Sequence, residues 1–200
     1  MNNNLPLSNL RVIDFGTAWA APMATQLLAD YGAEVIKIET RTRLDGLRLG
    51  RPMIGEDLAG GDRGLWPELQ PVFHGINRNK LSITVDMKTL EGIKIVKDLI
   101  SQSDVVVNNY SPGVLDRLGL DYESLKEVKP DIILVSMPAV GDVGPMKDVL
   151  AYAPIIQALS GLMSLVGYDE DEQLVGELQA PWSDVVAAVH ASLAILSAVI

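Results

Sequence analysis

Among the 200 residues, the acid that best combines reactivity with position is Asp184. It lies beside Pro181 and Ser183 at the expected start of an almost wholly apolar helix, where the positive end of the helix macrodipole keeps a carboxylate ionised and its pKa low. An ionised carboxylate in a poorly hydrated place is a nucleophile, but Asp in a first helical turn is also an ordinary cap, and spacing leaves both readings open. The basic groups near the expected sheet ends are Lys80, which closes NRNK, and Arg117 in GVLDRLG. Singly, each reads as an exposed or ion-paired side chain. As a set they suit phosphates, with Lys80 a point charge and the arginines bidentate donors, and Arg41, Arg43, Arg48 and Arg51 add to the cluster. Glu39 ends the second expected strand, where an acid holds a ribose in dinucleotide sites. The loop before it, GTAWAA from Gly16, has one glycine where G-x-G-x-x-G needs three, and no G-x-x-x-x-G-K-[ST] occurs, which weakens both nucleotide readings.

Composition removes other chemistries. With no cysteine there are no disulfides, thiolate metal centres or cysteine nucleophiles, and His74 and His190 are too few for a His-rich metal site, so no metal is expected. Sixteen Lys+Arg against 26 Asp+Glu give a formal charge of −10, the wrong sign for general nucleic-acid binding, although a cleft can hold a local basic cluster. The N-terminus lacks a basic and then apolar leader, which with the missing cysteines points to the cytoplasm. Two apolar stretches, Ala153 to Gly167 and Val185 to Ile200, are shorter than the roughly 20 residues of a membrane span and read as buried core helices, with His190 buried in the second. The sequence stops inside that apolar run, which predicts an N-terminal portion of a longer chain or a partner that covers the helix.

The elements that must position these groups alternate. LRVIDF from Leu10, a helix opened by Pro22 and stopped by Gly32, and AEVIKIE from Ala33 predict a βαβ unit in about 30 residues. Arg41 to Gly75 reads as a long loop. A strand around Ile83 follows, then a helix capped by Thr89 that buries Ile93, Val96, Leu99 and Ile100, then the strand DVVVNN from Asp104. Short helices begin at Ser111 and Asp121, a strand at Asp131 and an apolar helix at Ile155. The acidic stretch YDEDEQ from Tyr168 reads as a solvated connector. This alternation predicts an α/β fold, a Rossmann-like open parallel sheet with flanking helices, forming one large domain over residues 1–200.

Six ordered segments together resemble the family III CoA-transferases, which include formyl-CoA and carnitine-CoA transferases. They are LRVIDF, APMATQLLADYGAEVIKIE, NRNKLSITVDMK, SDVVVNNYSPGVLDRLG, IIQALSGLMSLVG and APWSDVVAAVHASLAIL. The resemblance covers the N-terminal half of a family member. It implies transfer of coenzyme A from an acyl-CoA to a small carboxylic acid, in an interlaced homodimer or a heteromer with a related subunit. It puts Asp184 at the catalytic aspartate, which passes through a mixed anhydride to an aspartyl-CoA thioester. It implies CoA contacts by Lys80 and Arg117, a nucleotide pocket lined by Asn109 and Tyr110, and an active-site loop carrying Thr17 and Trp19. The sequence departs from the family at Thr17, where Arg or His is common, at Ala21 and Ala188, commonly glycine, and at Ser111 and Ala153. DFGTAWAAPM and the Arg51 to Val72 segment are similar to the branch that activates arylsuccinates such as benzylsuccinate with succinyl-CoA. Two other readings stay open: an acyl-CoA racemase of the same fold, and a non-catalytic CoA-binding partner subunit.

Overall fold

Short valine- and isoleucine-rich runs become five strands in the computed structural model, which describes residues 5–52, 55–167 and 181–200. They are β1 (Arg11–Asp14), β2 (Glu34–Glu39), β3 (Leu81–Thr84), β4 (Val105–Asn108) and β5 (Ile133–Ser136). All neighbours are parallel, in the order β3-β2-β1-β4-β5. Strand order therefore reverses between β1 and β4, and in open α/β sheets the crevice beyond the carboxyl ends of such strands is where ligands sit.

Helices cover both faces. On one side α3 (Leu90–Ile100) and α5 (Tyr122–Val128) bury Val96, Ile100 and Leu125 against Ile13, Ile36, Ile38 and Val106. Thr89 caps α3 as expected, its hydroxyl accepting from the Gly92 N–H at 3.0 Å. On the other side α1 (Ala20–Asp30) and α7 (Trp182–Val199) set Leu28 and Ile195 against Val12, Val35, Val105 and Val107. Because side chains alternate along a strand, neighbours such as Val12 and Ile13 serve opposite layers. The remaining helices are α2 (Pro71–Asn77), α4 (Val114–Leu118) and α6 (Ala153–Leu159).

Three expectations are corrected. Helix α1 begins at Ala20, two residues before Pro22, whose missing N–H is harmless anywhere in a first turn. The stretch from Arg41 to Gly75 is not one loop: it holds 3-10 turns at Gly46–Arg48, Glu56–Ala59 and Arg63–Glu68, and then α2. The two apolar helices are not buried all round. In α7 only Ala188, Ala191, Ser192 and Ile195 are buried, while Trp182 and Leu193 are 52% and 61% exposed, and His190 lies at the surface with its Nδ1 2.8 Å from the Val186 carbonyl. By length and composition alone α7 is apolar enough to cross a membrane. The acidic stretch from Tyr168 lies outside the described residues.

Candidate active site

The turn from β1 into α1 lies at the reversal point, and its backbone is held by side chains from distant parts of the chain. Asp14 ends β1 with its carboxylate fully buried, one oxygen accepting from the Gly16 N–H at 2.7 Å and the other from Thr25 Oγ1 and Lys80 Nζ at 2.8 and 2.9 Å. Lys37, buried inside the apolar run of β2, donates to the Gly16 carbonyl at 2.5 Å and lies 3.9 Å from Asp45. Asp45 accepts from the Ala18 N–H at 3.0 Å, and also caps the Gly46–Arg48 turn through the Leu47 N–H. Burial pushes the Asp14 carboxyl up, but Lys80 and Lys37, with hydrogen bonds from Lys80 and Thr25, outweigh it and hold Asp14 below the usual carboxylate range. Gly16 itself is compulsory: a Cβ there would lie 2.7 Å from Asp14 Oδ1 and 2.8 Å from the Ala21 Cβ.

Across the reversal point, Asn109 follows β4 and closes a reciprocal pair with Thr17. The Thr17 N–H donates to Asn109 Oδ1 at 2.9 Å, and Asn109 Nδ2 donates to the Thr17 carbonyl at 2.7 Å. Tyr110 packs beside Phe15 with ring centroids 6.5 Å apart; burial, with Asp14 and Asp45 nearby, pushes its phenol up to about 12. The structure thus brings Thr17, Trp19, Asn109 and Tyr110 together around one turn.

Asp184 meets that turn from α7. It is the third residue of its helix, and the backbone N–H of Ala20, the first residue of α1, faces its carboxyl and favours its charge, so the acid sits near two helix N-termini. The expected low pKa is reversed. Burial raises Asp184 above the ordinary aspartate value, and the hydrogen bonds from Ala20 and from its own backbone offset only part of that. The close approach comes from small residues: Ala188 and Ala191 of α7 pack on Ala24 of α1, and Ser192 Oγ donates to the Ala24 carbonyl at 3.1 Å. Two polar atoms on either side of the contact, Trp19 Nε1 and Ser183 Oγ, are buried with no hydrogen-bond partner among the described residues.

The basic residues separate. Lys80 is not a free point charge, because all three ammonium hydrogens are engaged, by Asp14, by the Pro22 carbonyl at 2.7 Å and by Asn77 Oδ1 at 2.8 Å, and burial pulls its pKa down. Arg48 leaves the expected cluster for the interior, pairing bidentately with Glu39, so Glu39 is not open to a ribose, and stacking 3.6 Å above the Phe73 ring. Arg51 pairs with Glu56. Arg41, Arg43 and Arg117 remain exposed, and Arg43 is close enough to act on the Tyr110 phenol. Sequence reasoning missed Asp14, Lys37 and Asp45. The first two carried a signal, since a charge inside an apolar parallel strand must find a partner.

Residues 7–200 match the family model described as CoA-transferase family III. The chain is 35% identical over 199 residues to the succinate–glutarate CoA-transferase of Agrobacterium fabrum, covering 100% of this chain and 48% of that protein. It is 36% identical to the beta subunit of the succinyl-CoA–L-malate CoA-transferase of Chloroflexus aurantiacus, covering 82% of this chain and 38% of the relative. Among solved structures, a CAIB/BAIF family protein from Brucella suis superposes with a TM-score of 0.85 at 34% identity, over 98% of this chain and 49% of that one. The chain therefore spans about half the length, or less, of these three proteins.

Proposed function

The chain belongs to CoA-transferase family III, and from that premise we propose that it moves coenzyme A from an acyl-CoA to a carboxylic acid, with Asp184 as the nucleophile. The observation that carries the reading is the Asp184 carboxyl, half-buried at two helix N-termini beyond the reversal point of the sheet. Burial raises its basicity, which strengthens a carboxylate nucleophile, while the Ala20 N–H faces the oxygen on which charge grows when that carboxyl carbon is itself attacked. Asp184 adds to the thioester carbonyl, the C–S bond breaks, and CoA thiolate leaves a mixed anhydride. The thiolate attacks the aspartyl carbonyl and expels the donor acid, giving the aspartyl-CoA thioester; the acceptor carboxylate then repeats both steps in reverse.

The unpaired Trp19 Nε1 and Ser183 Oγ support an oxygen-rich ligand beside Asp184. Thr17, Asn109 and Tyr110 line the approach, and the exposed Arg43 and Arg117 are the cations for the CoA phosphates. Succinyl-CoA is the donor suggested by the name of the Chloroflexus relative, and succinate and glutarate stand in that of the Agrobacterium one, so a dicarboxylic acid, arylsuccinates included, is the acceptor class to screen.

The test is to incubate the full-length protein with succinyl-CoA, trap with hydroxylamine, and map the peptides by mass. An aspartyl hydroxamate confined to the peptide holding Asp184 is the expected result. An unmodified Asp184 in protein that binds CoA overturns the mechanism. A second reading, a silent partner subunit, draws on the relative named as a beta subunit; in that case Asp184→Ala leaves the activity of a heteromer intact.

A further inference from the structure

The turn that carries Ala20 to Asp184 is built against its own preference. Ala18 adopts φ +55°, a left-handed conformation that alanine seldom takes unaided. Around it, the N–H of Gly16, both backbone groups of Thr17 and the N–H of Ala18 are all bonded to side chains. Asp14 does this from inside the sheet, where Lys37 also holds the Gly16 carbonyl, and both serve the fold. Asn109 and Asp45 do it from the rim: one follows β4, the other begins the Arg41 to Gly75 connection, and neither belongs to the apolar layers. Two residues after the last of these bonds comes the Ala20 N–H.

Building on the reading of Asp184 as nucleophile, we propose that Asn109 and Asp45 are positioning residues, a two-sided bracket that holds the β1–α1 turn so that, across the α1–α7 packing at Ala24, Ala188 and Ala191, the Ala20 N–H stays turned toward the Asp184 carboxyl. Asn109 fixes Thr17 through a donor and an acceptor at once, which sets the plane of the turn and not merely its distance from β4. Asp45 fixes the next N–H from the opposite side and, through Leu47, ties the long connection to the same turn. Asp45 also faces Lys37 at 3.9 Å and acts on Lys80 and Tyr110, so Asn109 is the cleaner site to perturb. At Asp184 burial is opposed only by backbone hydrogen bonds, from Ala20 and from its own residue, so loss of the Ala20 contact registers directly in its titration.

The experiment uses the full-length chain without CoA, labelled with 13C-carboxyl aspartate and with Asp184 assigned through Asp184→Asn. In Asn109→Ala the Asp184 midpoint moves up in pH, and hydrogen exchange in the peptide spanning residues 15–22 accelerates by roughly tenfold, the loss expected for two modest hydrogen bonds. Asp45→Asn, which keeps one oxygen for the Ala18 N–H, gives a smaller shift of the same sign and decides the matter if Asn109→Ala does not fold. A folded variant with an unmoved Asp184 midpoint overturns the proposal, whether or not exchange accelerates. If both readouts move but hydroxylamine leaves Asp184 unmodified in the wild type, the nucleophile reading falls and the bracket stands.

Discussion

At the scale of single residues, Asp184 and Lys80 show how burial redirects a charge. Asp184 is raised in the folded protein, so its ionisation works against folding: the folded state is favoured while the group is protonated, and that advantage is lost as pH rises through its folded pKa. Asp184→Asn is therefore expected to raise the melting temperature at pH 7, with the gain shrinking as pH falls toward the ordinary value of 3.8; calorimetry across that range checks it. Lys80 is the opposite case, an ammonium held almost entirely out of water by Asp14. Lys80→Met should cost about 3–5 kcal/mol, read as a lower urea midpoint, because Asp14 loses a buried counter-charge. Arg117→Ala, at an exposed site, should stay within about 0.5 kcal/mol of wild type. Equal midpoints for the two variants would return Lys80 to the role its motif suggests. The motif NRNK names the residue but not its partner, since Asp14 lies 66 positions away. Likewise the helix start at Pro181 was legible around Asp184, whereas the burial that reverses its pKa depends on tertiary packing.

At the scale of elements, the sheet was readable because most strands are short apolar runs and three of the helices carry a stop or cap: Gly32 after α1, Thr89 before α3, Asp121 before α5. The Arg41 to Gly75 connection was not, because its order rests on single long-range contacts such as Arg48 with Glu39 and Asp45 with Ala18, which leave no periodicity. Helices α1 and α7 meet through alanines, and their separation sets whether Ala20 reaches Asp184. Ala188→Leu is expected to force them apart, lowering stability by about 1–3 kcal/mol and CoA transfer by more than stability alone explains. Comparing chemical denaturation with initial rates below the transition separates the two effects. The departure from glycine at Ala188 is thus part of the interface: its side chain is fully buried against α1.

At the scale of the molecule, the parallel sheet and its flanking helices follow from the alternation in the sequence, but the strand order and the fate of the apolar helices did not. Periodicity is faint where nearly every position is apolar, and the few polar residues of Val185 to Ile200 do not mark one face: Ser192 is buried while His190 is exposed. The outer face of α7, with Trp182, Val189 and Leu193 all at least half exposed, is an apolar surface of the kind that drives association. The 200-residue chain alone is expected to self-associate on concentration, seen as a rising mass by light scattering, and Val189→Lys with Leu193→Lys to return it to a monomer. A concentration-independent monomer in the unmodified chain would argue that this face tolerates water. The bond from Ser192 to Ala24 joins residues 168 apart, and that from Thr17 to Asn109 joins residues 92 apart. On a ribosome, then, the β1–α1 turn waits unclamped until β4 emerges, and Asp184 meets it only once α7 has been made, about 160 positions after the turn itself.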